Sequence, residues 1–328
     1  MSASRIIVFG AIIAVALISA YAQKSDSAPA IAFATLRTSV TPDDPAAAYA
    51  LANRYMSGGV AQDYVRAAQL FRIAADRGMA SAELALGNLY QQGLGVPRDD
   101  AQAVKYFRMA AEQGEGIAAN NVGAMCEAGR GTSKDVKEAL RWYRYAADRG
   151  NAEGQLNLGA LYFFGRGVRR DYGIARKWIH QAAEQGHAVA QIAIFEMYFL
   201  GKGVEKDTGY AIVWLRKAAD QGSGPAQVAL SRLYSSGTGV PVNYHEAAHW
   251  AQHAAQQRDH AGEAALASLY EQGKGVPLNY IKAYRLYKSS FDGGNKQSKA
   301  SMENLLRIMT PRQIAEAISS GPDPEIPE

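Results

Sequence analysis

The chain carries a Gly-x-Gly motif every 36 residues, from Gly93 and Gly95 to Gly273 and Gly275, with no insertion or deletion between the six copies. A fixed period of this length is typical of a solenoid, in which one supersecondary unit stacks on the next. Because solenoids mostly present surfaces to partners, the period also favours a binding protein over an enzyme.

Each period predicts a helix, a turn and a second helix. In the period that starts at Ala82, Leu86 and Leu89 follow helical spacing, Gly93 fits a C-terminal cap, and Asp99 fits the N-cap of the next helix. The second helix contains a pair of small residues, which recurs at Ala74-Ala75, Ala110-Ala111, Ala146-Ala147, Ala182-Ala183, Ala218-Ala219 and Ala254-Ala255. Neither helix can bury its apolar stripe alone, so we expect an all-α solenoid of stacked helix–turn–helix repeats.

The ends of the chain differ from the repeats. Ile6–Ala22 is apolar and uncharged and ends in Ala20-Tyr21-Ala22, which fits a secretory signal peptide cleaved before Gln23. An uncleaved N-terminal anchor is the alternative, because 17 residues only just span a bilayer. We expect a signal peptide at 1–22, a linker at 23–46, seven repeats at 47–297, a helical cap at 298–320 and a disordered tail at 321–328.

Charge and cysteine content exclude other classes of protein. The net charge of +4 over 328 residues is too small to indicate nucleic-acid binding. Cys126 is the only cysteine, so the chain has no internal disulfide and no cysteine-based metal site. Its register places it where other repeats bury a Tyr, and we expect a core thiol.

The repeat pattern resembles the Sel-1-like repeat, a relative of the tetratricopeptide repeat. The resemblance rests on Leu158-Gly159-Ala160-Leu161-Tyr162, Gly165-Arg166-Gly167-Val168, Asp171, Ala175, Trp178, Ala182-Ala183 and Gly186, and on their counterparts in the other units. It implies a right-handed α/α superhelix whose first helices line a concave groove that binds a protein partner. It further implies an exported bacterial scaffold, periplasmic or secreted, that acts as a regulator or adaptor of an envelope protein such as a sensor kinase or a cell-wall enzyme.

The resemblance leaves alternatives open. One is a hydrolase of cell-wall material or β-lactams, as in the cysteine-rich branch of the family, although Cys126 alone departs from that branch's disulfide pattern. Another is a host-interaction factor, and an inner-membrane anchor facing the periplasm is the alternative location. We expect no enzymatic activity and no cofactor.

His245-Glu246-Ala247-Ala248-His249 matches the H-E-x-x-H zinc protease helix, and His253 follows four residues later. The repeat register argues against a catalytic site. Asn243 aligns with the predicted N-caps, which would make Glu246 the N3 residue of a capping box. The three histidines fall away from the core stripe of their helix, so we interpret them as a solvated face and only weak metal candidates.

Two columns of basic residues follow the repeat. One lies between the paired glycines and includes Arg130, Arg166, Lys202 and Lys274; the other precedes the second helix and reads Arg98, Lys134, Arg170 and Lys206. Ordinary solvated loop charge explains both columns, and a basic ridge for an acidic protein or an anionic cell-wall polymer is the sharper hypothesis. Six copies of Gly-x-Gly at a fixed period indicate structural turns and not phosphate cradles.

The partner-binding surface is predicted where two repeats differ in sequence from the other repeats. The end of the first helix carries Phe163 and Phe164 in the fourth repeat and Phe199 and Leu200 in the fifth repeat. The other repeats have smaller or polar residues there. Packing between layers is one explanation and an exposed anchor for a partner is the other. We predict that these four residues, flanked by Arg166 and Lys202, form the recognition site.

Overall fold

A computed structural model of the chain describes residues 44–58 and 63–319. This part of the chain is all-helical and contains 16 helices and no strand. The helices are α1 Pro45–Ser57, α2 Tyr64–Asp76, α3 Ala80–Gln92, α4 Asp100–Glu112, α5 Gly116–Ala128, α6 Val136–Asp148, α7 Ala152–Phe164, α8 Tyr172–Glu184, α9 Ala188–Leu200, α10 Thr208–Asp220, α11 Gly224–Ser236, α12 Tyr244–Gln256, α13 His260–Gln272, α14 Tyr280–Asp292, α15 Ser298–Ile308 and α16 Pro311–Ile318.

The first fourteen helices form seven pairs, which confirms the predicted solenoid of helix–turn–helix repeats. We call the odd-numbered members, α1 to α13, first helices and the even-numbered members, α2 to α14, second helices. The chain divides into two compact units between Gly154 and Gln155, within α7. The predicted signal peptide, most of the predicted linker and the predicted tail lie outside the described residues. The first described helix begins at Pro45, two residues before the predicted start of the repeats.

The caps predicted from the sequence set the helix boundaries. The Asp99 carboxylate accepts hydrogen bonds from the backbone N–H groups of Ala101 and Gln102 (2.9 and 3.0 Å) and starts α4. At the end of α3, Gly93 adopts a left-handed conformation with φ of 73°, as a C-terminal cap requires. The same arrangement recurs in other repeats, for example with Gly201 at the end of α9 and Asp207 at the start of α10.

Within each unit of the chain, the second glycine of a Gly-x-Gly pair is needed for close packing between repeats. A Cβ atom on Gly131 would lie 2.0 Å from the backbone oxygen of Asp100, which is the first residue of the second helix in the preceding repeat. Gly275 has the same relation to Tyr244, also at 2.0 Å. The Gly-x-Gly loop of one repeat therefore rests directly on the preceding second helix, and the motif is a packing element.

The core is built from the small residues of the second helices and the large apolar residues around them. The paired alanines Ala110, Ala111, Ala146 and Ala147 are buried, as predicted. Cys126 is also fully buried, which confirms the predicted core thiol. Burial raises the pKa of its thiol, so the cysteine is kept in the unreactive protonated form.

Side-chain amides join the two helices of a repeat within the second unit. Gln221 donates to the amide oxygen of Gln191 (2.8 Å), and Gln257 donates to that of Gln227 (2.9 Å). Gln191 itself donates to the backbone oxygen of Ala183 (3.2 Å). Because a buried amide without a partner is costly, the bonds of Gln191 fix α9 against the end of α10 in its own repeat and against α8 of the preceding repeat.

Two helices follow the repeats. Thr310 and Gln313 form the capping box predicted for α16, with Pro311 in its first turn. Leu305 and Ala317 are buried against α14, and Arg285 of α14 donates to the backbone oxygen of Glu316 (2.6 Å). These helices cover the apolar side of the last repeat.

Candidate partner-binding face

The exposed side of the first helices in the second unit carries the predicted partner-binding residues. We call the exposed side of α7, α9, α11 and α13 the first-helix face. It is formed by residues that the repeat leaves outside the core, so its composition varies from helix to helix. The part on α9 is the most apolar, because Val189 and Leu200 are 42% and 53% exposed and lie on one side of the helix with Ile192 and Ala193.

One carboxylate interrupts the apolar surface of α9. Glu196 is half-buried and lies seven residues from Val189 and four from Leu200, which places all three on the same helical side. It forms no hydrogen bond or ion pair with any described residue. Burial raises the pKa of its carboxyl, and the nearby positive charge of Lys202 opposes that shift. An unpaired carboxylate in apolar surroundings does not stabilise the fold, which favours a functional role for Glu196.

The structure separates the predicted apolar anchors into two kinds. Phe164 is 45% exposed and Leu200 is 53% exposed, so both lie on the first-helix face. Phe163 is half-buried, and its ring centroid lies 5.0 Å from that of Phe164 and 5.1 Å from that of Tyr172.

Phe199 also belongs partly to the core. It packs at the edge of the buried cluster that contains Leu215 and Leu230, with its ring centroid 5.0 Å from that of Phe195. A Cβ atom on Gly239 of the next repeat would lie 3.2 Å from the Phe199 ring. Phe199 thus joins two layers of the repeat, while its neighbour Leu200 faces solvent.

The predicted flanking cations sit beside these anchors. The guanidinium of Arg166 lies 5.6 Å from the centroid of the Phe164 ring, within the range of a cation–π contact. Lys202 is exposed at the end of α9. Two successive first helices therefore carry a cation next to an exposed apolar residue at the same end. The pairs are Arg166 with Phe164 and Lys202 with Leu200.

Several other cations of the two basic columns are engaged within the chain. Arg130 donates from two nitrogens to the carboxylate of Asp100 (2.9 and 3.2 Å), and this pairing lowers the pKa of that carboxyl. Lys206 lies 5.9 Å from the centroid of the Phe199 ring, and Arg170 lies 5.3 Å from that of Tyr172. These contacts explain many of the column residues without a polymer ligand.

The three histidines of the H-E-x-x-H segment are exposed on α12. The rings of His249 and His253 are 4.5 Å apart, and His249 also packs edge-on against Trp250 at 5.0 Å. Among residues 44–58 and 63–319, no group of three or more His, Cys, Asp or Glu side chains is arranged to hold a metal ion.

The predicted role of Glu246 needs a correction. Asn243 is the N-cap of α12 as predicted and accepts from the N–H groups of His245 and Glu246, each at 3.1 Å. The Glu246 carboxylate, however, accepts from the indole N–H of Trp250 (3.2 Å) and lies 3.6 Å from Arg216, so the contacts are not those of a capping box.

Glu138 shows that these contacts belong to the repeat. It occupies the position of Glu246 three repeats earlier, accepts from the indole of Trp142 (3.3 Å), and pairs with Arg108 (2.7 Å). Because an indole N–H four residues along the helix and an arginine from the preceding repeat bind the same carboxylate, the glutamate has a structural role at both positions.

A groove of about 460 Å³ lies where the first-helix face continues from α11 to α13 and α15. We did not predict this groove from the sequence. Its signal is that Ser235-Ser236 stands where α7 has Phe163-Phe164 and α9 has Phe199-Leu200, so small hydroxyl side chains line the groove where those helices carry large apolar ones.

None of the described helices is both long enough and apolar enough to cross a membrane.

Comparison with known proteins identifies the repeat. Seven consecutive segments match the family model described as the Sel1 repeat, at residues 45–79, 80–115, 116–151, 152–187, 188–223, 224–259 and 260–295. No curated protein matches the chain. Among solved structures, a protective antigen present in uropathogenic Escherichia coli strains that displays an SLR fold is 31% identical, with a TM-score of 0.61 over 87% of this chain and 69% of that one. A Sel1 repeat protein from Oxalobacter formigenes is 30% identical, with a TM-score of 0.62 over 73% of this chain and 96% of that one.

Proposed function

The chain belongs to the Sel1 repeat family, whose members are generally non-enzymatic scaffolds for protein–protein interaction, and we propose that it is an exported scaffold that binds an envelope protein through the first-helix face. The observation that carries the proposal is the apolar surface of α9, where Val189 and Leu200 are exposed beside the unpaired carboxylate of Glu196. Large exposed apolar side chains grouped on one helical side are typical of a binding surface.

The neighbouring repeat extends this surface. Phe164 of α7 occupies the same repeat position as Leu200 of α9, so the two side chains project from equivalent points of successive repeats. Aromatic anchors generally supply much of the binding energy of an interface, and flanking charges mainly direct the encounter. Phe164 and Leu200 therefore serve as anchors, while Arg166 and Lys202 steer the partner.

Export is the second component of the proposal. The apolar segment Ile6–Ala22 and its small-residue end at Ala20-Tyr21-Ala22 support secretion of a mature protein that begins at Gln23. The partner then belongs to the cell envelope, and the role is that of a regulator or adaptor. N-terminal sequencing of the protein from a periplasmic extract tests this component, and an intact Met1 in the membrane fraction would contradict it.

The binding surface is tested by site-specific photo-cross-linking in the native cell. A photoreactive residue at position 164 or 200 should yield one defined cross-linked partner. The same probe at Val213, on second helix α10, provides a matched control because Val213 and Leu200 are both 53% exposed. Equal cross-linking from positions 200 and 213 would refute the proposed surface.

The affinity of the captured partner gives the quantitative test. Leu200→Asp should weaken binding at least tenfold, because it places a charge at an apolar contact, whereas Val213→Asp should leave binding unchanged. The similarity to a protective antigen supports a host-interaction factor as the alternative function. The identity of the cross-linked partner decides between an envelope protein and a host protein.

A further inference from the structure

The groove beside the first-helix face has a charge character of its own. It is lined by residues of α11, α13 and α15 with contributions from α12, α14 and the loops between them. Two of the lining residues, Arg232 and Lys274, are cationic, and none is acidic. The remaining polar lining is supplied mainly by hydroxyl and amide groups, including Ser235, Ser268 and Gln272.

Neither cation has an acidic partner among the described residues. Lys274 occupies the position of Arg130, but Tyr244 stands where Arg130 finds the carboxylate of Asp100. The Lys274 ammonium instead lies 5.0 Å from the centroid of the Tyr244 ring, which also lines the groove. Its charge is thus left available at the groove.

Arg232 is exposed and is not required by the repeat. The same position holds Asn88, Ala124, Ala160, Glu196 and Ser268 in other first helices, so Arg232 is the only cation there. The repeat folds with a neutral residue at this position in most of its copies.

The acid that precedes the groove residue Gln272 on α13 is hydrogen-bonded within the repeat. Glu271 does not line the groove, and its carboxylate accepts a hydrogen bond from the hydroxyl of Tyr287 (2.9 Å). The same pairing joins Glu127 to Tyr143 in the first unit (2.9 Å), so it belongs to the repeat.

We propose that this groove binds an extended acidic segment of a partner protein, with Arg232 and Lys274 each holding a carboxylate and the surrounding serine and glutamine side chains bonding its backbone. Packed helices lie about 8–10 Å apart, so a path across α11, α13 and α15 is about 20 Å long and fits about six extended residues. Two cations without competing acids complement such a segment in charge. The inference rests on the proposed function, since it gives the chemistry of one bound segment.

The test is selection from a display library of random eight-residue peptides on the full mature protein. We expect the selected peptides to be rich in Asp and Glu. Their affinity should fall about tenfold or more in the double variant Arg232→Ser, Lys274→Thr, and it should fall with rising salt. Both replacements copy residues that the repeat already uses, since Ser268 and Thr238 occupy the equivalent positions, so the fold should be retained.

The matched control is the double variant Arg307→Ser, Arg312→Ser. It removes the same charge from two exposed residues that do not line the groove, and it should bind the selected peptides as the wild type does. Selection of neutral or basic peptides, equal binding by the two double variants, or no selection at all would each overturn the inference. The proposed function is judged separately by the cross-links at positions 164 and 200, so the two can fail independently.

Discussion

Replacing Gly131 by Ala should destabilise the protein far more than replacing Gly150 by Ala, although both glycines have positive φ (66° and 79°). A non-glycine residue in this conformation costs about 1–2 kcal/mol at either position. A Cβ atom at position 150 meets nothing within 4 Å, so the strain is its whole cost. At position 131 the Cβ atom would lie 2.0 Å from the Asp100 oxygen and 2.2 Å from its carbonyl carbon.

The clash at position 131 involves backbone, so it can be relieved only by moving the loop off the preceding helix. Overpacking of this kind costs about 1–3 kcal/mol, and the movement also strains the Arg130–Asp100 pair, a half-exposed contact that contributes about 1 kcal/mol or less. We therefore expect Gly131→Ala to cost about 2 kcal/mol more than Gly150→Ala. Urea unfolding followed by circular dichroism measures both variants, and both lie in the same unit of the chain. Equal losses would refute the close packing assigned to the second glycine.

The other predictions concern the site and its surroundings. Phe199→Ala should lower the free energy of unfolding by about 2–3 kcal/mol and Leu200→Ala by less than about 1 kcal/mol, since only Phe199 packs into the core; a reversed order in urea unfolding would place Phe199 on the partner surface. Glu246→Gln should cost less than about 1 kcal/mol because glutamine still accepts from the Trp250 indole, and it should change neither zinc content nor peptide hydrolysis; stoichiometric zinc with hydrolysis that this variant abolishes would restore the protease hypothesis. Burial raises the folded-state pKa of Glu196, so its contribution to stability is most favourable below the unfolded-state value of about 4.3 and declines as pH rises through the folded-state value. Glu196→Gln should accordingly raise the melting temperature at pH 7 and lose that advantage near pH 4, and a lower melting temperature at pH 7 would show that the carboxylate has a partner.

Periodicity made the fold predictable, because one physical rule for a cap or a turn is repeated in every unit. Asp99, Gly93 and the alanine pairs are each found in the predicted role. The same reasoning misassigned Glu246, because an N3 glutamate can bond either to the N-cap backbone or to side chains from the next turn and the preceding repeat. Only the three-dimensional packing of Trp250 and Arg216 decides between these partners.

The site was less predictable than the fold. The sequence pattern grouped exposed Phe164 and Leu200 with half-buried Phe163 and Phe199, and the packing of the chain decides which of the two adjacent positions is covered. The groove at Arg232 depends on what neighbouring helices leave unfilled, which a single helix does not reveal. The departure of one repeat from its column, as with Arg232 and Ser235-Ser236, is the sequence signal that would have pointed to it.

The amide pairs within each repeat bear on how a gene for such a protein can change its length. Gln191 and Gln221 are partners, and both lie within residues 188–223, so loss of that whole segment removes donor and acceptor together. Loss of α9 alone would remove the Gln191 acceptor of the Gln221 amide, and an insertion of a few residues would separate the pair. In-frame duplication or deletion of whole 36-residue modules is therefore the route by which this lineage can lengthen or shorten its binding surface while each intermediate protein still folds.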